Sequence, residues 1–496
     1  MNRLITLSLL SLAAFGASAE VVLPKFFTDN MLVQRDATLT VAGKATPGAE
    51  VKVTTDWANG NAKGKAGADG AFSIALPTPG AGGPYTIIVD DGNGEPVVLS
   101  NVLSGELWLC SGQSNMEFPV KGWTQVMNAD EVVATARHPE VRLLQIHKNT
   151  AYTPQADADV NMGGWVEASP ATMDFSAIAY LFAKEMKDSL QVPVGVIDAT
   201  WGGTPAEAWT SAEYLAGVPG FEAEVDALAK DASHPGYLRD DYERRNAQWL
   251  EQAATLTGDF DLAAEQTGDN WMSIQIPSMW ETSVLPGFDG IVWMQRVVDL
   301  PEDAAGKPLT LNLGPVDNED ETYFNGTKVG GAAAWDTPRH YEVPGNLVRA
   351  GRNVITVKVS DYDGEGGIGG KPEDNCVVVD GRAYPLVGEW KLSVAKDFSK
   401  MPPRPASIYG SSFPSVLFNA MISPLRLMPV RGVLWYQGCA NVGRAEQYEP
   451  LFQNLIRNWR SIWGENLPFY FVQLAGWLQP RNVQPDSQWA ALRDAQ

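Results

Sequence analysis

Three short polar clusters, "SGQSNM" at 111–116, "WGGTPAEAW" at 201–209 and "QGCAN" at 437–441, supply between them hydroxyls, glycines and uncharged amides. Each directly follows a compact apolar run. A serine displayed at a strand end can attack an acyl carbon, and glycine amides or carboxamides can hold the resulting oxyanion without adding charge. For Ser114 the residues alone leave two readings, a nucleophile or the N-cap of a helix. The stretch is not G-x-S-x-G, so the ordinary α/β-hydrolase elbow is not indicated.

In the second cluster, Thr204, Pro205 and Glu207 have the spacing of a capping box with proline at the first helical position, which predicts a helix start. Gly202 and Gly203 then precede that helix, either as oxyanion amides or merely as a turn. In the third, Gln437 and Asn441 are amide donors at a strand end, or turn residues satisfying local backbone.

The elements that must position these clusters follow from texture. Residues 20–100 read as short strands separated by Gly, Pro and Asp, which predicts an N-terminal β-sandwich. From 101 to 264, and again from 401 to 496, apolar runs such as "GELWLCS", "VPVGVIDA" and "RGVLWYQ" alternate with helical patterns. That alternation predicts an α/β domain with a doubly wound parallel sheet. Between 265 and 400 the strand texture returns, so a second β-sandwich is expected as an insertion. In open α/β sheets the ligand crevice lies beyond the carboxyl ends of the strands, where clusters distant in sequence can meet.

Other features bound the function. Residues 1–19 have a basic start, an apolar run and Ala17-Ser18-Ala19, the pattern of a secretory signal peptide. The expected location is therefore periplasmic or extracellular. No later segment is long and apolar enough for a membrane span. The net charge of −22, with no basic block, repels nucleic acid and anionic membranes. Three cysteines, Cys110, Cys376 and Cys439, make neither a disulfide framework nor a zinc site. No metal or organic cofactor is implied, since no ligand cluster or phosphate loop is present.

Taken together, "LWLCSGQSNMEFPV", "GVIDATWGGTPAEAW" and "VLWYQGCANV" resemble the bacterial sialate O-acetylesterase family, a branch of the SGNH hydrolases. "DNMLVQRDATLTVAGKATPGAEVKV", "SSFPSVLFNAMISPL" and "QWAALRDAQ" extend the likeness over nearly the whole mature chain. The resemblance implies an SGNH-type fold whose insert is galactose-binding-like. It implies Ser114 as nucleophile, the Gly203 amide (or Gly202) and the Gln437 side chain as oxyanion donors, and Asn441 in the same loop. Gln113, Asn115 and Trp209 are expected at the substrate pocket, with Glu207 holding the helix.

Two departures from the family pattern stand out. Cys439 occupies the place of a usual glutamate; a bridge to Cys110 is conceivable, with two free thiols the preferred reading. None of the four histidines, His138, His147, His234 and His340, stands in the Asp-x-x-His context of the family's acid/base pair. That pair is expected beyond Gln496, which would leave this stretch by itself without its base. The implied activity is hydrolysis of O-acetyl esters on sialic acid or a related sugar through an acyl-enzyme. Acetylated xylan or another glycan is the alternative substrate, and non-catalytic carbohydrate binding the alternative class.

Overall fold

The computed structural model describes residues 20–256, 260–477 and 486–496. The expected signal segment, 1–19, lies outside them. Two compact units emerge, one of residues up to Arg239 with Ser407–Gln496, the other of Asp240–Ala406.

The first unit is organised around a long strand, Val97–Gly112, here β2, preceded by the short β1 at Leu32–Gln34. The first half of β2 pairs antiparallel with Gly82–Asp90, in a small sheet with Glu50–Thr55 and Ala62–Lys65. A separate two-stranded sheet joins Thr38–Lys44 to Ala71–Pro77, whose residues alternate exposed and buried as a half-buried strand must. The second half of β2 enters a different sheet and runs parallel to its neighbours. These are β3 (His138–Gln145), β4 (Val194–Thr200), β5 (Gly432–Tyr436) and β6 (Phe469–Phe471), in the order β3-β4-β2-β5-β6, with Val166–Ala168 antiparallel at the β3 edge. Every residue of β4 is buried. That is why its sequence reads as a compact run, apolar but for Asp198 and Thr200, and not as an alternation.

The helices match the helical spacing in the sequence. After the short α1 (Ser114–Glu117), α2 (Ala177–Leu190) buries Ala179, Tyr180 and Ala183, and Ser176 caps it by accepting the Ala179 amide. The last of these, α3 (Ala445–Trp463), buries Tyr448, Leu451, Phe452, Leu455 and Trp459. Trp459 lies edge-on to Trp435 of β5, ring centres 5.7 Å apart. Full burial of one such large apolar side chain contributes on the order of 1.5–3 kcal/mol, so this face anchors β5.

The second unit is dominated by two antiparallel sheets. One has the order 272–276, 388–397, 290–300, 351–361, 319–324, 327–333, and the other is centred on Leu309–Asp317. Trp280, Met294, Leu311, Phe324, Val357 and Trp390 fill its core. A buried ion pair, Arg339 Nε to Asp320 Oδ1 at 2.6 Å, connects strands of the two sheets.

Candidate active site

Gly112 pairs with Thr200 of β4 on one flank and Tyr436 of β5 on the other. The carboxyl ends of these strands therefore lie side by side, and the three polar clusters meet there. Gly112 has φ +141°, and a Cβ at this position would fall 2.2 Å from the Tyr436 carbonyl oxygen. Only glycine lets β2 turn into α1 at this distance.

Gln113, not Ser114, holds the N-cap position of α1. Its side-chain oxygen accepts the Gly438 amide at 2.9 Å and the Ala440 amide at 3.3 Å, while its own amide donates to Tyr436 O. Gln113 is buried and clamps the first cluster to the third. Ser114 is the first helical residue and half-buried. Its hydroxyl meets no hydrogen-bond partner among the described residues, so the capping alternative does not apply and Oγ stays available. Asn115 is half-buried beside it.

The two glycines differ. The Gly202 amide donates to Glu117 Oε2 at 2.6 Å, and a Cβ on Gly202 would lie 3.4 Å from Ser114 Cβ. Gly203 has φ +77°, and its amide has no acceptor among the described residues. Of the pair, Gly203 is thus the one with an unengaged N–H, one residue beyond the glycine that faces the serine.

The predicted helix after Gly203 shrinks to a single 3-10 turn, Ala206–Trp209, with no side-chain cap. Thr204 Oγ1 donates to Trp201 O and accepts from Trp209 Nε1 at 2.9 Å, while Glu207 is drawn into the third cluster. Its buried carboxylate accepts from Asn441 Nδ2 at 2.9 Å and Arg444 at 2.8 Å. Asn441 Oδ1 in turn accepts the Ala206 amide at 3.0 Å and Gln437 Nε2 at 2.7 Å. Gln437 is fully buried, and its second N–H reaches Thr204 O at 3.1 Å. With both amide hydrogens engaged, Gln437 holds a loop instead of facing an oxyanion. Asn441 does the same work from the other side. Trp209 is also fully buried, edge-on to Trp435 at 6.4 Å, and belongs to the core, not to a pocket wall.

Beside Ser114 lies a cleft of about 490 Å³ lined by Glu117, Trp123, His147, Lys148, Asn161 and Asp174. Lys148 Nζ meets Glu117 Oε1 at 2.6 Å and sits 5.8 Å from the centre of the Trp201 ring. Beneath it, Thr200 Oγ1 and Gln145 Nε2 donate to the buried Asp198. Burial pushes the Asp198 carboxyl up to about 6, against the lowering effect of those bonds. From Gln145 the chain of bonds continues through Asn161 to His147 Nδ1. Sequence reasoning missed Glu117, Trp123 and Lys148. The Ser-x-x-Glu spacing of Ser114 and Glu117 was the available signal, since it places both on one turn of helix.

His138 starts β3, and its Nε2 is buried without a partner among the described residues. His234 ends a helix at Glu222–Ser233, and His340 bonds Asn312. Among the described residues none of the four histidines is hydrogen-bonded to a carboxylate. All three cysteines are free, so Cys110 and Cys439 do not pair; burial and the nearby Asp198 push the Cys110 thiol well up. Among the described residues no group of His, Cys, Asp and Glu is arranged to hold a metal ion.

Residues 104–229 and 408–496 match the family described as carbohydrate esterase, sialic acid-specific acetylesterase, and residues 24–99 match a bacterial Ig domain. The sialate O-acetylesterase of Pongo abelii is 31% identical over 211 residues, covering 39% of this chain and 40% of that protein. That of Rattus norvegicus is 29% identical over 238 residues, covering 45% and 43%. The crystal structure of a carbohydrate acetylesterase from Xanthomonas citri aligns with TM-score 0.53 and 23% identity, over 96% of this chain and 65% of that one, which shows a shared fold. The match spans about two fifths of the curated relatives' length, and less than two thirds of the solved structure. The resemblance read from the three motifs is borne out.

Proposed function

We propose, from the premise that residues 104–229 and 408–496 match the sialic acid-specific acetylesterase family, that this protein is an exported serine esterase removing O-acetyl groups from a carbohydrate. The observation that carries the reading is Ser114. Its hydroxyl is unengaged at the end of β2, against a turn whose Gly203 amide is equally unengaged.

Ser114 Oγ would attack the acetyl carbonyl carbon, the Gly203 N–H would hold the oxyanion, the sugar alkoxide would leave with a proton, and water would release acetate from the acyl-enzyme. The role of base is assigned to none of the four histidines, because none is held by a carboxylate. Export rests on the signal pattern at 1–19, and a galactose-binding-like insert fits the paired antiparallel sheets of Asp240–Ala406. Among the described residues no helix is long and apolar enough to cross a membrane.

Acetate release from O-acetylated sugars by the full-length protein, compared with Ser114→Ala, tests the proposal. Loss of release in the variant supports it. An unchanged rate, or no release by the wild type together with glycan binding, would replace it with a different nucleophile or a non-catalytic binding protein.

A further inference from the structure

We infer that the cleft beside Ser114 receives an uncharged O-acetylated sugar ring lying on the Trp123 indole, in preference to an acidic sugar. This rests on the esterase reading above. Glu117, one helical turn beyond Ser114, forms one wall of the cleft and also bonds the Gly202 amide. The cleft therefore opens on the same helical turn that carries the candidate nucleophile. The volume, about 490 Å³, falls within the usual range for small-molecule sites.

Trp123 is 69% exposed, yet its loop is pinned. The Val120 amide donates to Phe175 O at 3.0 Å and the Lys121 amide to Met173 O at 2.8 Å, while Phe118 supports the indole edge-on at 6.1 Å. A large aromatic surface held out in this way at a cleft mouth offers the C–H face of a sugar ring a flat apolar contact at little ordering cost.

The remaining lining suits hydroxyls, which both donate and accept. His147 Nε2 is unengaged, since Nδ1 is the ring nitrogen bonded to Asn161, and the exposed Asp174 carboxylate has no partner among the described residues.

The charge balance selects against a carboxylate on the ligand. Among the described lining residues Lys148 is the cation, and Glu117 already neutralises it at 2.6 Å. Asp174 then leaves the lining net negative, in a chain whose formal charge is −22. Among the described residues no arginine lines the cleft to bind a sugar carboxylate bidentately. An acidic sugar entering here meets like charge, which lowers both association rate and affinity.

The test compares kcat/KM of the full-length enzyme on an O-acetylated neutral xylo-oligosaccharide, on O-acetylated sialic acid and on p-nitrophenyl acetate, for wild type, Trp123→Ala and Asp174→Lys. The wild type is expected to favour the neutral sugar by about tenfold or more. Trp123→Ala should lose about tenfold more on the neutral sugar than on p-nitrophenyl acetate, through KM. Asp174→Lys should move the sugar preference about tenfold toward the acidic substrate. A wild type that favours acetylated sialic acid, or a Trp123→Ala variant weakened equally on all three, overturns the inference. Inactivity of the wild type on all three overturns instead the esterase reading beneath it.

Discussion

The Glu117 carboxylate accepts the Gly202 amide at 2.6 Å through one oxygen and meets the Lys148 ammonium at 2.6 Å through the other. One acidic side chain thereby ties α1, which carries Ser114, to the turn that carries Gly203. The two groups proposed to handle the acyl carbon are 89 residues apart in sequence, so their relative placement depends on such ties.

Releasing this tie should slow chemistry more than it weakens binding. Removing an oxyanion donor outright costs about 10²–10³ in kcat, so displacing one by Glu117→Ala should cost about 10- to 100-fold in kcat with a smaller change in KM. Glu117→Gln retains an oxygen for the Gly202 amide and should recover most of the loss. Steady-state kinetics on p-nitrophenyl acetate measure both; an alanine variant within about twofold of wild-type kcat refutes the positioning role.

Asn441 joins the clusters by structure instead of chemistry. Replacing it by alanine leaves the Ala206 amide, one Gln437 N–H and a Glu207 oxygen buried and short of partners. The expected loss of stability is about 2–3 kcal/mol. Urea unfolding followed by tryptophan fluorescence reads it, and a loss under about 0.5 kcal/mol would show that the network relaxes freely.

In the second unit the Arg339 and Asp320 side chains are 1% and 0% exposed, and Tyr341 OH donates to both Asp320 oxygens at 2.9 Å. Arg339→Met strands a buried carboxylate and should cost about 3–5 kcal/mol, whereas Arg339→Met with Asp320→Leu should cost less than either single change. A double variant whose loss equals the sum of the two single losses would argue against coupling, and chemical denaturation of the three variants decides.

Asp361 is fully buried, with one carboxyl oxygen unpartnered. Burial, then the charges of Glu281 and Asp289, push it up to about 8. A carboxyl raised in the folded state keeps its proton where the unfolded chain, at about 3.9, has lost it. Its contribution to stability is therefore complete below about pH 4 and is lost as pH rises toward about 8. Asp361→Asn should be more stable than wild type at pH 9 and equal to it below pH 4, as thermal unfolding across pH would show. A constant difference across that range would mean the group does not titrate there.

The scaffold was legible because its signals are local. The run at 431–436 is apolar on both faces and became β5, and the helical period of Tyr448, Leu451, Leu455 and Trp459 gave the bounds of α3. Ser114 was found by its place after a strand, but only the structure decided between cap and free hydroxyl, by putting Gln113 at the N-cap. The burial of Gln437 and Trp209 was not legible for the converse reason. What surrounds each comes from far along the chain: Thr204 O lies 233 residues before Gln437, and the Trp435 ring packs edge-on to Trp209.

By itself, then, the chain determined where strands and helices run and which polar clusters stand at strand ends, since burial patterns repeat with the period of each element. The tertiary structure alone decided which of those polar groups are engaged and which remain free. A hydrogen bond is settled by what comes within about 3 Å of the donor, and for Gly202, Gln437 and Asn441 the acceptors are brought in by other elements of the fold.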